Sequence, residues 1–242
     1  MSQQRTVTLA SETDSLGFRR EARSLLAALV APEDVQWLTE TPTARELFAR
    51  GINGAAARAV QRAGASNLLL PRSFLSLCET VILHKAARRF DLLYRLLWRA
   101  VHEPDLLRNP LDADRVQALH MAQAVRRDMQ KIKTTVRFVP MPDEHGATPL
   151  LLAWFEPDHH IVEAVAPFFL RRLARQRWAL LTPERSLRSD GESLELAPGA
   201  GLALGAAESS WCDGYRKVFG DRPIRSDRGS EPETSFRPGW AS

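Results

Sequence analysis

Cysteine is almost missing from this chain. Cys78 and Cys212 are its only two, too few for a four-thiolate iron–sulfur cluster or a zinc site built from four cysteines. No Cys-x-x-Cys pair occurs, so both thiols read as reduced, small, semi-apolar side chains. Long apolar runs are also missing. No window approaches 18 consecutive apolar residues, so no membrane span is expected. Met1 to Ala10 lacks the apolar stretch of a signal peptide, and the expected location is the cytoplasm. There is no phosphate-binding Gly-x-x-x-x-Gly-Lys-Ser/Thr loop, no His-Glu-x-x-His helix and no Gly-x-Ser-x-Gly elbow. Gly199, Gly201 and Gly205 lack the spacing of a dinucleotide loop. No cofactor is expected.

Lysine is scarce too. Four of the 33 basic residues are lysine and the rest are arginine. Within the 242 residues, 44% hydrophobic and 26% charged, the formal net charge of +4 is unevenly spread. Residues 71–140 hold thirteen basic and seven acidic residues, whereas 186–242 hold seven and nine. A central positive excess suits a phosphate-facing surface, and equally a solvated helical face.

The apolar pattern predicts an α/β fold: one domain over residues 1–219, a mixed sheet flanked by helices, and a disordered tail over 220–242. Thr6 to Leu9 and Val35 to Leu38 read as strands. The helix between them carries Phe18, Ala22, Leu25, Leu26 and Leu29, giving a βαβ-like opening. Thr39 to Asn67 reads as a loose helix or loop insertion. Pro71 opens a helix, and another spans Arg89 to His102. A third runs from Arg115 to Lys133, capped by Asp112 or Asp114, with Ala118, Met121, Val125, Met129 and Ile132 on its apolar line. Val136 to Met141 and Leu150 to Phe155 suggest a hairpin. A helix is expected from about Asp158 to Gln176, with a kink at Pro167. A strand at Trp178 to Leu181, short strands near Leu187 and Leu194 to Leu196, and a last helix from Glu208 to Phe219 complete the pattern.

Two constellations stand out. Trp154-Phe155-Glu156-Pro157-Asp158-His159-His160 carries a strand into the expected helix N-terminus, with carboxylates and imidazoles suited to proton transfer. The alternative is an Asp158 cap beside packed histidines. Adjacent histidines point apart on a helix, so no metal site is expected. The second is the basic set Arg126, Arg127, Lys131, Lys133 and Arg137, of which Arg127 and Lys131 share a helix face. Phosphate contact and a solvated face are both reasonable readings.

Several stretches taken in order resemble a bacterial family of uncharacterised domains labelled as DNA-metabolism proteins. They are Leu70 to Leu75, Phe90 to Arg99, Val125 to Phe138, Ala153 to Ile161, Ala166 to Phe169 and Trp178 to Pro183. The resemblance covers about residues 5–219. It implies a partner, a DNA-repair radical SAM protein, or fusion to a uracil-DNA-glycosylase-like domain that binds uracil-containing DNA. The family pattern Trp/Tyr-Phe/Tyr-Glu-Pro-Asp/Glu-His-His is matched by Trp154 to His160. The chain departs from the family near Ser189 and after Phe219, and it holds no glycosylase-like domain, so glycosylase or crosslinking activity is not expected of it.

Three functions follow as expectations. The first is an accessory module binding DNA through Arg126, Arg127, Lys131, Lys133 and Arg137. The second is an enzyme acting on damaged DNA or nucleotides, with Glu156 or Asp158 as base and His159 or His160 as acid. The third is a protein-interaction subunit with no DNA contact.

Overall fold

The computed structural model describes residues 4–49, 71–103, 105–141 and 149–220. The expected tail from 221 on, most of the 39–67 insertion and the turn at 142–148 lie outside the described residues.

The βαβ-like opening is present. β1 (Arg5–Leu9) and β2 (Val35–Thr39) pair in parallel, Val7 opposite Trp37. α1 (Ser15–Ala27) connects them, and the Asp14 carboxylate caps it by accepting from the Gly17 N–H at 2.8 Å. This pair is a separate two-stranded sheet rather than part of one mixed sheet. Two parallel strands alone are marginal. They are held because Val7, Leu9 and Val35 enter a core with Phe18, Phe90 and Tyr94. α2 (Ala44–Ala49) falls within the region read as a loose insertion.

α3 (Arg72–Ile82) and α4 (Arg89–His102) supply the helical side of that first core through Phe74, Val81, Ile82, Leu93 and Leu96. α5 (Ala113–Thr135) follows its expected line closely. Asp112 is the cap, accepting from the Arg115 N–H at 3.0 Å, while Asp114 instead pairs with Arg95 and Arg99. At 1.5 Å per residue α5 is about 34 Å long. Its first half packs Ala118, Met121 and Ala122 into the first core. Its second half packs Val125 and Ile132 into another core, so one helix serves both.

The main sheet has five strands in sequence order: β3 (Val139–Met141), β4 (Leu150–Trp154), β5 (Trp178–Leu181), β6 (Arg185–Ser189) and β7 (Leu194–Pro198). It is mixed, since β4 and β5 run parallel and the other pairs antiparallel. The parallel step requires a crossover helix, here α6 (Val162–Arg172). β5 is buried throughout because helices cover both faces of the sheet. Trp178 and Leu180 face α5 and α6, whereas Ala179 and Leu181 face α7 (Trp211–Phe219). The β6–β7 turn needs Gly191, whose φ is +99° and whose added Cβ would meet the Arg175 backbone at 2.7 Å.

Several boundaries differ from the sequence reading: α7 begins at Trp211 after a 3-10 turn over Glu208–Ser210, β4 ends at Trp154, and the ends of β3 and α6 move. β3 begins at Val139, not Val136, where its pairing with Leu152 starts. Phe138 packs on Phe169 and Trp178 instead. α6 begins at Val162, not near Asp158. The His159 N–H donates to Asp128 at 2.9 Å and the His160 N–H to the Leu83 carbonyl at 2.9 Å, which holds this stretch as a loop. α6 runs through Pro167 and stops at Arg172 rather than Gln176.

Candidate functional site

Loops leave the C-terminal ends of two parallel strand pairs and meet. Such ends are where open α/β sheets place their ligands. Glu12 follows β1 and Thr39 ends β2. His160 follows β4 and Glu184 follows β5. The turn between α3 and α4 adds Lys85, and the first residue of α4 adds Arg89.

His160 is the hub. Its side chain is 16% exposed, with Nδ1 3.1 Å from a Glu184 oxygen and Nε2 3.9 Å from Glu12 Oε2. Burial pushes its pKa below the usual histidine value, and the two carboxylates only partly restore it. The neutral ring donates from Nδ1 to Glu184, which leaves Nε2 as an acceptor. Burial acts to raise the pKa of Glu184, but the Lys85 ammonium at 2.9 Å and His160 outweigh it and hold the carboxyl low. Glu12 behaves alike: burial raises it, and the Thr39 hydroxyl and the Arg89 guanidinium more than compensate.

Arg89 is 3% exposed at its side chain and uses four of its five N–H donors. It donates to the carbonyls of Ile82 (2.9 Å), Ala86 (3.1 Å) and Glu12 (2.9 Å), and to the Glu12 carboxylate. It also lies 4.4 Å over the Phe90 ring centre. Beside these groups opens a cavity of about 440 Å³. Its polar end is Glu12, Thr39, Lys85 and His160, and its apolar wall is Trp37, Leu38 and Phe90.

The other members of the Glu156–His160 turn diverge. Glu156 accepts from Trp154 Nε1 at 2.8 Å and from the Gly205 N–H at 2.6 Å. The Gly205 bond is the main cause of its lowered pKa. It acts as a clamp on the loop before α7. Asp158 is 70% exposed and lies 3.6 Å from Lys131. His159 stacks on His84 with ring centres 4.3 Å apart. Burial lowers the pKa of both imidazoles, and for His84 the neighbouring His159 adds to it. Of the four turn residues proposed for acid–base work, only His160 lines the cavity.

The basic set occupies the second half of α5 and the residues after it. Arg126, Arg127 and Arg137 are exposed and have no ion pair among the described residues. Lys131 reaches Asp158 and lies 5.7 Å from the Phe155 ring centre, and Lys133 lies 5.5 Å from that of Phe168. The Lys131–Asp158 contact joins the basic row to the turn.

Sequence reasoning missed Glu12, Lys85, Arg89, Asp128 and Glu184. Asp128 alone left a local signal: it interrupts the core-facing line of α5 between Val125 and Ile132. It is buried, its Oδ2 holds the His159 N–H, its Oδ1 has no partner among the described residues, and burial raises its pKa. Among the described residues no group of three or more His, Cys, Asp or Glu is placed to hold a metal ion. Nor is any helix among them long and apolar enough to cross a membrane.

Comparison with known proteins returns no match among curated proteins and none among solved structures. Arg89, Asp128, His160 and Glu184 all lie within residues 87–219, a span of more than half the chain that matches the profile of a domain of unknown function, and the protein therefore belongs to the DUF4130 family.

Proposed function

We propose that the protein is a cytoplasmic accessory module of DNA metabolism that binds nucleic acid through the second half of α5. The observation that carries this reading is the group of exposed arginines Arg126, Arg127 and Arg137, without ion pairs among the described residues, with Lys131 and Lys133 beside them. Arginine presents a planar fork of donors that matches phosphate oxygens. Arg126 and Lys133, seven residues apart, share one face and are separated by about 10 Å along the axis. The central positive excess of residues 71–140 supports the same surface.

The resemblance in sequence supports a partner: a radical SAM protein of DNA repair or a uracil-DNA-glycosylase-like protein. In that arrangement the α5 row holds the phosphate backbone and the partner does the chemistry. The test is binding of the full chain to single-stranded and duplex oligonucleotides, with and without uracil. Replacing Arg126, Arg127 and Arg137 by glutamate abolishes binding while the thermal melt stays unchanged. Equal binding by that variant rejects the surface. Co-purification with the partner that survives nuclease treatment supports the complex, and its loss on nuclease treatment means that only shared DNA joined them.

A further inference from the structure

The cavity beside His160 belongs to none of the surfaces assigned so far, and its lining defines what it takes. At about 440 Å³ it falls in the range of small-molecule sites, roughly 300–1,000 Å³. Its cations are already engaged. Arg89 is buried, with four of its five N–H donors taken by carbonyls and by Glu12. Lys85 is held by Glu184 at 2.9 Å and by the Pro157 carbonyl at 3.3 Å. With Glu12 and Glu184 paired to them, the two cations leave the lining with no net positive charge, so it offers an anion little attraction.

The lining instead favours a donor. His160 Nε2 and Glu12 Oε2 are both acceptors and stand 3.9 Å apart. A single N–H or O–H group, or an amino group, at ordinary hydrogen-bond length from each would serve both. Half-buried Trp37 and exposed Leu38 line the same space, with Phe90 buried behind Trp37, and a partly exposed indole suits a flat partner.

We propose that this cavity is a binding site for an uncharged, N–H-bearing heterocycle of nucleoside size, whose donor is received jointly by His160 Nε2 and the Glu12 carboxylate. The site is built from both halves of the chain. The βαβ unit brings Glu12 and Trp37, and the DUF4130 span brings His160 and Arg89. Glu184 is the positioning residue, fixing the ring so that Nε2 faces the cavity. The proposal does not depend on the α5 surface.

The probe set is adenosine, guanosine, cytidine, uridine and thymidine with their 5′-monophosphates, titrated into the full chain and followed by calorimetry and tryptophan fluorescence. At least one nucleoside binds one to one, and its monophosphate binds no more tightly. Glu12→Gln and His160→Gln each weaken binding about tenfold or more, as expected for losing a charge-assisted or buried hydrogen bond. Ala87→Trp, at an exposed position on the rim, blocks binding without touching the polar cluster and so serves if the polar variants fail to fold. The arginine variants of α5 leave nucleoside binding unchanged. The proposal is overturned if none of the five nucleosides binds, if binding is indifferent to Glu12, His160 and Ala87, or if the monophosphate is clearly preferred.

Discussion

Arg89 offers a sharp test of how the two halves of the chain are joined. It is the buried tie between the β1 loop and the α3–α4 turn. Replacing it with methionine keeps much of the apolar stem volume but removes every guanidinium bond. The carbonyls of Ile82 and Glu12 lose their Arg89 donors, the Ala86 carbonyl keeps only the backbone N–H of residue 89, and the Glu12 carboxylate loses its counter-charge. Removing one partner of a buried pair costs about 3–5 kcal/mol. Glu12 is itself 36% exposed at its side chain, so water recovers part of that cost, and the lower end, about 3 kcal/mol, applies. For a chain of this size that corresponds to a fall in Tm of roughly 6–12 °C. Differential scanning calorimetry and urea melts measure it. A double-mutant cycle with Glu12→Gln apportions it: the part due to the stranded Glu12 charge should vanish in the Glu12→Gln background, and the part due to the carbonyls should remain. A loss below about 1 kcal/mol would refute the claim that this pair joins the two halves.

Three further perturbations bear on the site. Asp128→Asn keeps an acceptor for the His159 N–H and removes the buried charge, with an amide NH₂ in place of the unpartnered oxygen. Because the folded pKa of Asp128 is raised, the native chain binds more protons than the unfolded one above the ordinary value of 3.8, and wild-type stability falls as pH rises through that window. The variant should therefore be the more stable by about 1 kcal/mol at pH 7 and lose that advantage below pH 3.8, as read from urea midpoints. His84, His159 and His160 all have lowered folded pKa values, so the unfolded chain takes up protons first and stability drops as pH falls below 6.5. Thermal melts between about pH 7.5 and 5.5 should show this, and His84→Gln with His159→Gln should flatten the slope; an unchanged slope would place its cause elsewhere. Glu156→Ala should cost about 1–2 kcal/mol and deprotect the Gly205 amide in hydrogen exchange, while Glu156→Gln keeps that protection.

Local physics made much of the fold legible. The apolar line of α5 and its Asp112 cap lie within one helix, and Trp-Ala-Leu-Leu of β5 announces burial on both faces. The start of α6 was not legible. Backbone donors of His159 and His160 are taken by Asp128 and Leu83, which are distant in sequence and leave no trace in the local pattern. The site divided the same way. Trp154 to His160 stood out by its density of chemical groups. Neighbours in sequence are not neighbours in function, however, and Glu156 and Asp158 turn away from His160. The carboxylates that do face His160 come from other strand ends: the parallel pairing of β4 with β5 brings Glu184 beside it, and Glu12 comes from the separate β1–β2 unit, held by Arg89. The arginine row was visible as charge, and its exposure became legible only once Val125 and Ile132 fixed which face of α5 is buried.

The central claim, that α5 presents a phosphate-binding row, is tested most directly by the salt dependence of oligonucleotide binding. Three arginines acting alone give a slope of log K against log salt of about −2.7 on duplex DNA, and all five basic residues give about −4.5. Between about 50 and 200 mM salt the affinity should then fall by roughly 40- to 500-fold. Replacing Arg126, Arg127 and Arg137 by alanine should flatten the slope by about 2.7. A slope near zero, or one that the three substitutions leave unchanged, would contradict the account.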